Sequence, residues 1–120
     1  MDIIRLNNMV FYAYHGYYSA EQERGQKFEI DLELECDFRA AAASDRLSDA
    51  VDYHRVYQHL QGLVVSRKFA LLEALVDTIA TEILAHFAVA GVRVRVRKPH
   101  VAISGLLDSV EVEHYRRREP

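Results

Sequence analysis

Residues 27–38 read KFEIDLELECDF, and this stretch decides the fold. Phe28, Ile30, Leu32, Leu34, Cys36 and Phe38 alternate with Glu29, Asp31, Glu33, Glu35 and Asp37 over eleven positions. A period of two sends one set to each face of a strand. The apolar face belongs against a core and the acidic face against water, as antiparallel sheets commonly arrange. Cys36 falls on the apolar set and reads as core filling rather than a reactive thiol. It is the chain's one cysteine, so no internal disulfide forms.

The same alternation returns in GVRVRVRK, residues 91–98, where Val92, Val94 and Val96 alternate with Arg93, Arg95 and Arg97. It returns again in SVEVEHYR, residues 109–116, where Val110 and Val112 oppose Glu111 and Glu113. The arginines are expected to meet these two glutamates across a strand pair. At the other end, IIRLNNMVFYAYHG (residues 3–16) is an apolar, aromatic run that reads as a first strand. SAEQERGQ (19–26) is a polar connection with room for one helical turn, broken at Gly25. AAASDRLSDAVD (41–52) reads as a loop ending at Asp52, a candidate N-cap.

Between the strand pairs lie two helical patterns. Val56, Leu60, Leu63 and Val64 form one stripe, with Tyr57 beside it and Gly62 weakening the helix by up to about 1 kcal/mol relative to alanine. Leu72, Leu75, Val76, Ile79, Ala80, Ile83, Leu84 and Phe87 form a second, in a helix from about Leu71 to Phe87. The expected fold is α+β, in the order β-β-α-α-β-β. Its four-stranded antiparallel sheet carries both helices on its apolar face. The edges of such a sheet invite association.

The 120 residues fit one domain, 1–120, without linker or repeat. Half are hydrophobic and 28% are charged, an ordinary balance for a globular protein. The net charge of −3 argues against nucleic acid as the partner, despite the basic run from Arg93 to Lys98. No apolar stretch approaches the roughly 20 residues of a membrane helix. No secretory signal opens the chain, so the cytoplasm is the expected compartment.

Three polar residues depart from the pattern. Lys98 has the parity of the valines, and Pro99, with no N–H, stops the pairing just after it. A buried charge is costly unless paired, so Lys98 either snorkels to water or enters a site. Glu73 borders the apolar stripe in the first turn of the second helix. The helix dipole favours a carboxylate there. Such a carboxylate also accepts two parallel N–H bonds from a flat amidine-like edge, as in guanidinium, a pterin or guanine. Tyr53, directly after Asp52, packs in a core or stacks on a flat ligand. Glu21 and Glu23 are by themselves ordinary solvated glutamates. The six histidines include no pair at i,i+2 or i,i+4, and no zinc site is expected.

Together these pieces resemble bacterial dihydroneopterin aldolases over essentially the whole chain. The matches are MVFYAYHG with Glu21 six residues after His15, GQKFEIDLEL, SDAVDY, LLEAL and VRVRKPH. The resemblance implies the tunnelling fold, with subunits closing their sheets into a homo-tetrameric ring, often stacked as an octamer, and sites between subunits. It implies a retro-aldol step of folate synthesis, splitting 7,8-dihydroneopterin into 6-hydroxymethyl-7,8-dihydropterin and glycolaldehyde. The pterin's own C=N acts as electron sink, so no cofactor or metal is implied. By resemblance, Glu73 and the backbone of Leu72 hold the pterin, and Tyr53 contacts substrate and assists proton transfer. Lys98 is the acid/base and Glu21 lies near the hydroxyl tail.

A free lysine has a pKa near 10.4, so a charged Lys98 is expected to work through an ordered water or hydroxyl. The chain departs from the family at Ala13, where many members have glycine. It departs again after KPH, where VAISG and then Leu106 and Leu107 replace the usual PPIPG. That loop, Val101–Leu107, is expected to shape the tail end of the site. Asp108, Ser109 and Val110 match a DSV of dihydroneopterin triphosphate epimerases, which lack YHG. An epimerase, with Arg97 or Arg24 meeting phosphate, is therefore the alternative. A non-catalytic pterin- or purine-binding protein of the same fold is a further one. Epimerisation at C2′ by an aldolase is also compatible with the resemblance.

Overall fold

The computed structural model describes residues 1–101 and 105–120. Its strands are β1 (Asp2–Ala13), β2 (Gln26–Cys36), β3 (Gly91–Lys98) and β4 (Val110–Arg117). Its helices are α1 (Ser19–Arg24), α2 (Arg39–Ser44), α3 (Tyr53–Ser66) and α4 (Leu72–His86). The strands form one antiparallel sheet in the order β1-β2-β3-β4. The four-stranded sheet and its two long helices are those the alternation and the stripes require.

The inward parity of β2 and β3 is fully buried from Phe28 to Leu34 and at Val92, Val94 and Val96. Against it lie Val56, Leu60, Leu63 and Val64 of α3 and Leu72, Leu75, Val76, Ile79, Ala80, Ile83 and Leu84 of α4. Asp52 caps α3, accepting from the backbone N–H of His54 at 3.1 Å and of Arg55 at 3.4 Å. Cys36 is buried, and burial beside Asp2 and Asp37 pushes its thiol pKa up, so it is a packing residue.

Two local features depart from the sequence reading. The stretch taken as a loop before Asp52 contains α2 and a 3-10 turn, Leu47–Asp49. Four consecutive alanines, Ala40 to Ala43, carry the highest helix propensity, and Asp45 ends the helix in the left-handed region at φ 57°. Strand β1 also changes parity midway. Leu6 pairs with Leu32 and Met9 with Ile30, so β1 has one residue more than β2 in that interval. The bulge puts Asn8 at φ 52°, and its N–H donates to Asp31 Oδ1 at 2.6 Å. Ile4 and Leu6 face the core before it, and Met9, Phe11 and Ala13 after it.

On the outer face the arginines of β3 meet Glu111 and Glu113, and equally the acids of β2. Arg95 bridges Glu33 (3.1 Å) and Glu113 (2.6 Å). Arg97 grips both oxygens of Asp31 (2.7 and 3.1 Å), reaches Glu111 at 3.0 Å and donates to Asn8 Oδ1 at 3.0 Å. It ties the bulge of β1 to the three other strands. The Arg97 guanidinium holds the Asp31 carboxyl below the ordinary aspartate range, although burial opposes this. Among the described residues, no helix is long and apolar enough to cross a membrane.

Candidate active site

The apolar face of β3 runs out at Lys98, under the N-terminus of α4. A cleft of about 290 Å³ opens there, and Glu21, Leu72, Glu73 and Lys98 all line it. Strand parity aims Lys98 inward, so its side chain is only 14% exposed. Burying an ammonium demands a counter-charge. Glu21, on the helical turn after β1, supplies it through a direct ion pair with Lys98 Nζ. Gln26 Nε2 donates to the same Glu21 oxygen at 3.1 Å, and the Tyr18 N–H donates to the other at 3.3 Å. Burial resists ionisation of Glu21, but the Lys98 ammonium and these two N–H donors outweigh it and hold its pKa below the usual glutamate value.

Glu73 lies across the cleft. Its carboxylate is exposed and has no hydrogen-bond or ion-pair partner among the described side chains. Leu71 precedes α4 without offering a side-chain cap. The first-turn N–H groups, that of Leu72 included, therefore remain available beside Glu73. A free carboxylate next to unpaired backbone donors suits a flat heterocycle that presents both donors and acceptors along one edge.

Two residues that the sequence reading passed over hold this geometry. His15 is fully buried. Its Nδ1 accepts from the Phe69 N–H at 3.1 Å, so Nε2 carries the proton and donates to the Val64 carbonyl at 2.8 Å. Burial pushes its pKa down, and the Val64 carbonyl only partly offsets this. His15 thus fastens the segment between α3 and α4, which leads into Glu73, to the end of β1. Gly16 follows at φ 153°, and its N–H donates to the Phe69 carbonyl at 2.9 Å. A Cβ there would lie 2.5 Å from Glu21 Cδ, so only glycine leaves space for the Glu21–Lys98 pair. The YHG stretch was the available signal, but its contacts lie about fifty residues away in sequence. Tyr17 and Tyr18 also line the cleft, with rings edge to face at 5.5 Å.

Tyr53 is not among them. It opens α3, is 63% exposed, and lines a separate apolar hollow of about 640 Å³ with Ile4, Phe38, Leu47 and Val51. One chain therefore brings Glu21, Leu72, Glu73 and Lys98 together and leaves Tyr53 apart. Arg97, considered for phosphate, lies on the opposite face of the sheet and is engaged by Asp31, Glu29 and Glu111. Of the loop Val101–Leu107, residues 102–104 lie outside the described residues.

Residues 4–115 match the family model of dihydroneopterin aldolase (FolB). A dihydroneopterin aldolase from Streptococcus pyogenes serotype M1 is 38% identical over 119 residues, covering 98% of this chain and all of the relative. A Vibrio cholerae O1 protein described as dihydroneopterin aldolase superposes with a TM-score of 0.92 at 33% identity, over 98% of both chains. The Escherichia coli dihydroneopterin aldolase, solved in complex with neopterin, superposes at 0.89 with 30% identity, over 97% of this chain and 99% of that one.

Proposed function

The chain belongs to the dihydroneopterin aldolase family and is an aldolase of folate biosynthesis; on that premise we propose how its side chains divide the work. Glu73 accepts the amino and ring N–H groups of the pterin, and the Leu72 backbone binds beside it. This places the three-carbon tail toward Lys98 and Glu21. Lys98, working through an ordered water or hydroxyl, takes the proton of the tail's C2′ hydroxyl. The C1′–C2′ bond breaks, glycolaldehyde leaves, and the bonding pair moves into the conjugated C=N of the dihydropterin. A proton returned at C1′ gives 6-hydroxymethyl-7,8-dihydropterin. Glu21 holds Lys98 in place and meets the tail hydroxyls. No metal takes part in this sequence of steps.

Tyr53 of a neighbouring subunit completes the site by touching the substrate and assisting proton transfer. Two observations support this. Tyr53 is exposed in a hollow away from its own chain's cleft. Both sheet edges also carry exposed apolar side chains, Ile3, Val10 and Tyr12 on β1 and Val110 and Tyr115 on β4. Closing β1 of one copy on β4 of the next would satisfy both edges in a tetrameric ring, alone or stacked as an octamer. The enzyme works in the cytoplasm.

The observation that carries the reading is the inward Lys98, paired to Glu21, opposite the free Glu73 carboxylate. Purified protein incubated with 7,8-dihydroneopterin and EDTA should release 6-hydroxymethyl-7,8-dihydropterin and glycolaldehyde in equal amounts. Pterin binding without product would contradict cleavage, and loss of turnover in EDTA would contradict metal independence. Arg97, fully engaged by carboxylates, favours the aldolase over the triphosphate epimerase.

A further inference from the structure

Away from the cleft, His59 of α3 converges with Glu82 and His86 of α4. Glu82 and His86 are one helical turn apart and project from the same face of α4. His86 Nε2 lies 3.2 Å from Glu82 Oε2, and His59 Nε2 lies 4.0 Å from Glu82 Oε1. One donor atom from each residue falls within 4.8 Å of the other two. The imidazole centroids lie 4.6 Å apart with the rings tilted by 42°, and the edge-on ring of Phe87 flanks His59 at 5.9 Å.

A carboxylate pairing with one imidazolium accounts for His86, which is also its i,i+4 neighbour. It does not account for a second imidazole from another helix, turned to the other oxygen of the same carboxylate. A divalent cation at the centre accounts for all three. We propose that His59, Glu82 and His86 bind a zinc ion that clamps α3 to α4, outside the catalytic cleft.

The donor set is right for that ion. Two nitrogens and one oxygen suit zinc, whereas calcium and magnesium take six or more oxygens or keep a shell of water. Zinc bonds of about 2.0–2.2 Å place tetrahedral ligands roughly 3.2–3.6 Å apart. The three side chains therefore close by about an ångström, through rotation of groups that are only partly buried. His59 is 29% exposed and His86 52%, which leaves the fourth position to water. His86 is also the last residue of α4, where the helix dipole favours a cation. Histidine spacing does not reveal the set, because its third member is a glutamate and its two histidines come from different helices.

The test titrates zinc chloride into chelator-stripped, dialysed protein by calorimetry. The expected result is one ion per chain at micromolar or tighter affinity. A visible spectrum of low-coordinate nitrogen and oxygen ligation should appear when cobalt(II) replaces zinc. His59→Ala and His86→Ala should each lower the affinity by more than about 100-fold, beyond what loss of an outer-shell partner costs. Zinc should raise the Tm of the wild type and of neither variant. His86→Ala removes an exposed side chain, so its zinc-free melt should match the zinc-free wild type. Turnover of 7,8-dihydroneopterin should be the same with and without the ion. Absence of saturable binding, or binding that persists in both histidine variants, would overturn the assignment. A requirement of turnover for zinc would overturn its place outside catalysis.

Discussion

The cleft at the end of β3 and the hollow beside the start of α3 are opposites in make-up. The cleft holds an ammonium, its paired carboxylate and a free carboxylate in about 290 Å³. The hollow is larger, mainly apolar, and carries one exposed phenol. Each is a poor site by itself. The cleft has a proton donor and acceptor, and a place to fix a polar edge. In the hollow, Asp37 and Asp49 are paired with Arg39 and Arg46, and the Tyr53 phenol has no hydrogen-bond partner among the described residues. On the proposed shared site, the difference means that polar residues of one reaction need not meet within a chain when the sheet that carries them has open edges.

Perturbing the two regions should give separable results. The largest effect belongs to Lys98→Ala, which removes the proposed acid/base. Its kcat should fall about 10²–10⁴-fold with pterin binding nearly unchanged, read by steady-state kinetics beside a neopterin titration. Glu73→Gln keeps the shape and loses the charge. It should weaken pterin binding by about 1.5–3 kcal/mol, roughly ten- to a hundredfold in Kd, with the smaller effect on kcat. An equal fall in kcat for the two variants would erase the division of labour within the cleft.

His15→Leu tests the frame rather than the chemistry. It strands the Val64 carbonyl and should cost about 1–3 kcal/mol in urea titrations. The folded imidazole has a pKa below the unfolded value of 6.5. The unfolded chain therefore binds a proton that the folded chain resists. Stability is full above about pH 6.5, declines as pH falls toward the folded value, and then levels. The variant should lose this component of the pH dependence, and its KM should rise as the lead-in to Glu73 loosens. The smallest effect lies far from either region. Gly62 has open space where a Cβ would sit, so Gly62→Ala should stabilise α3 by up to about 1 kcal/mol without altering kinetics.

Strand parity and helical stripes were legible because each is a local repeat. The apolar set of β2 from Phe28 to Cys36 and the four apolar residues of α3 are buried as their spacing requires, whereas Phe38 lies past the end of the strand, at the start of α2, and is exposed. The bulge in β1 was not legible, because Asn8 takes its conformation with the help of Asp31 on another strand. The helix at Ala40 to Ala43 was hidden by the cap-type residues that follow it. In the site, Lys98 betrayed itself by breaking its own strand's pattern. Glu21 looked like any solvated glutamate, since the lysine that justifies it lies far along the chain. His15 and Gly16 act through contacts with Val64, Phe69 and Glu21 that only the folded chain creates.

The central claim is that Lys98 of one chain and Tyr53 of another serve the same substrate. Lys98→Ala and Tyr53→Ala chains, each prepared alone, should both be nearly inactive. Unfolded together in equal amounts and refolded, they should regain about a quarter of wild-type turnover, because one interface in four then pairs an intact Lys98 with an intact Tyr53. A mixture no more active than the sum of its separate variants would contradict a shared site.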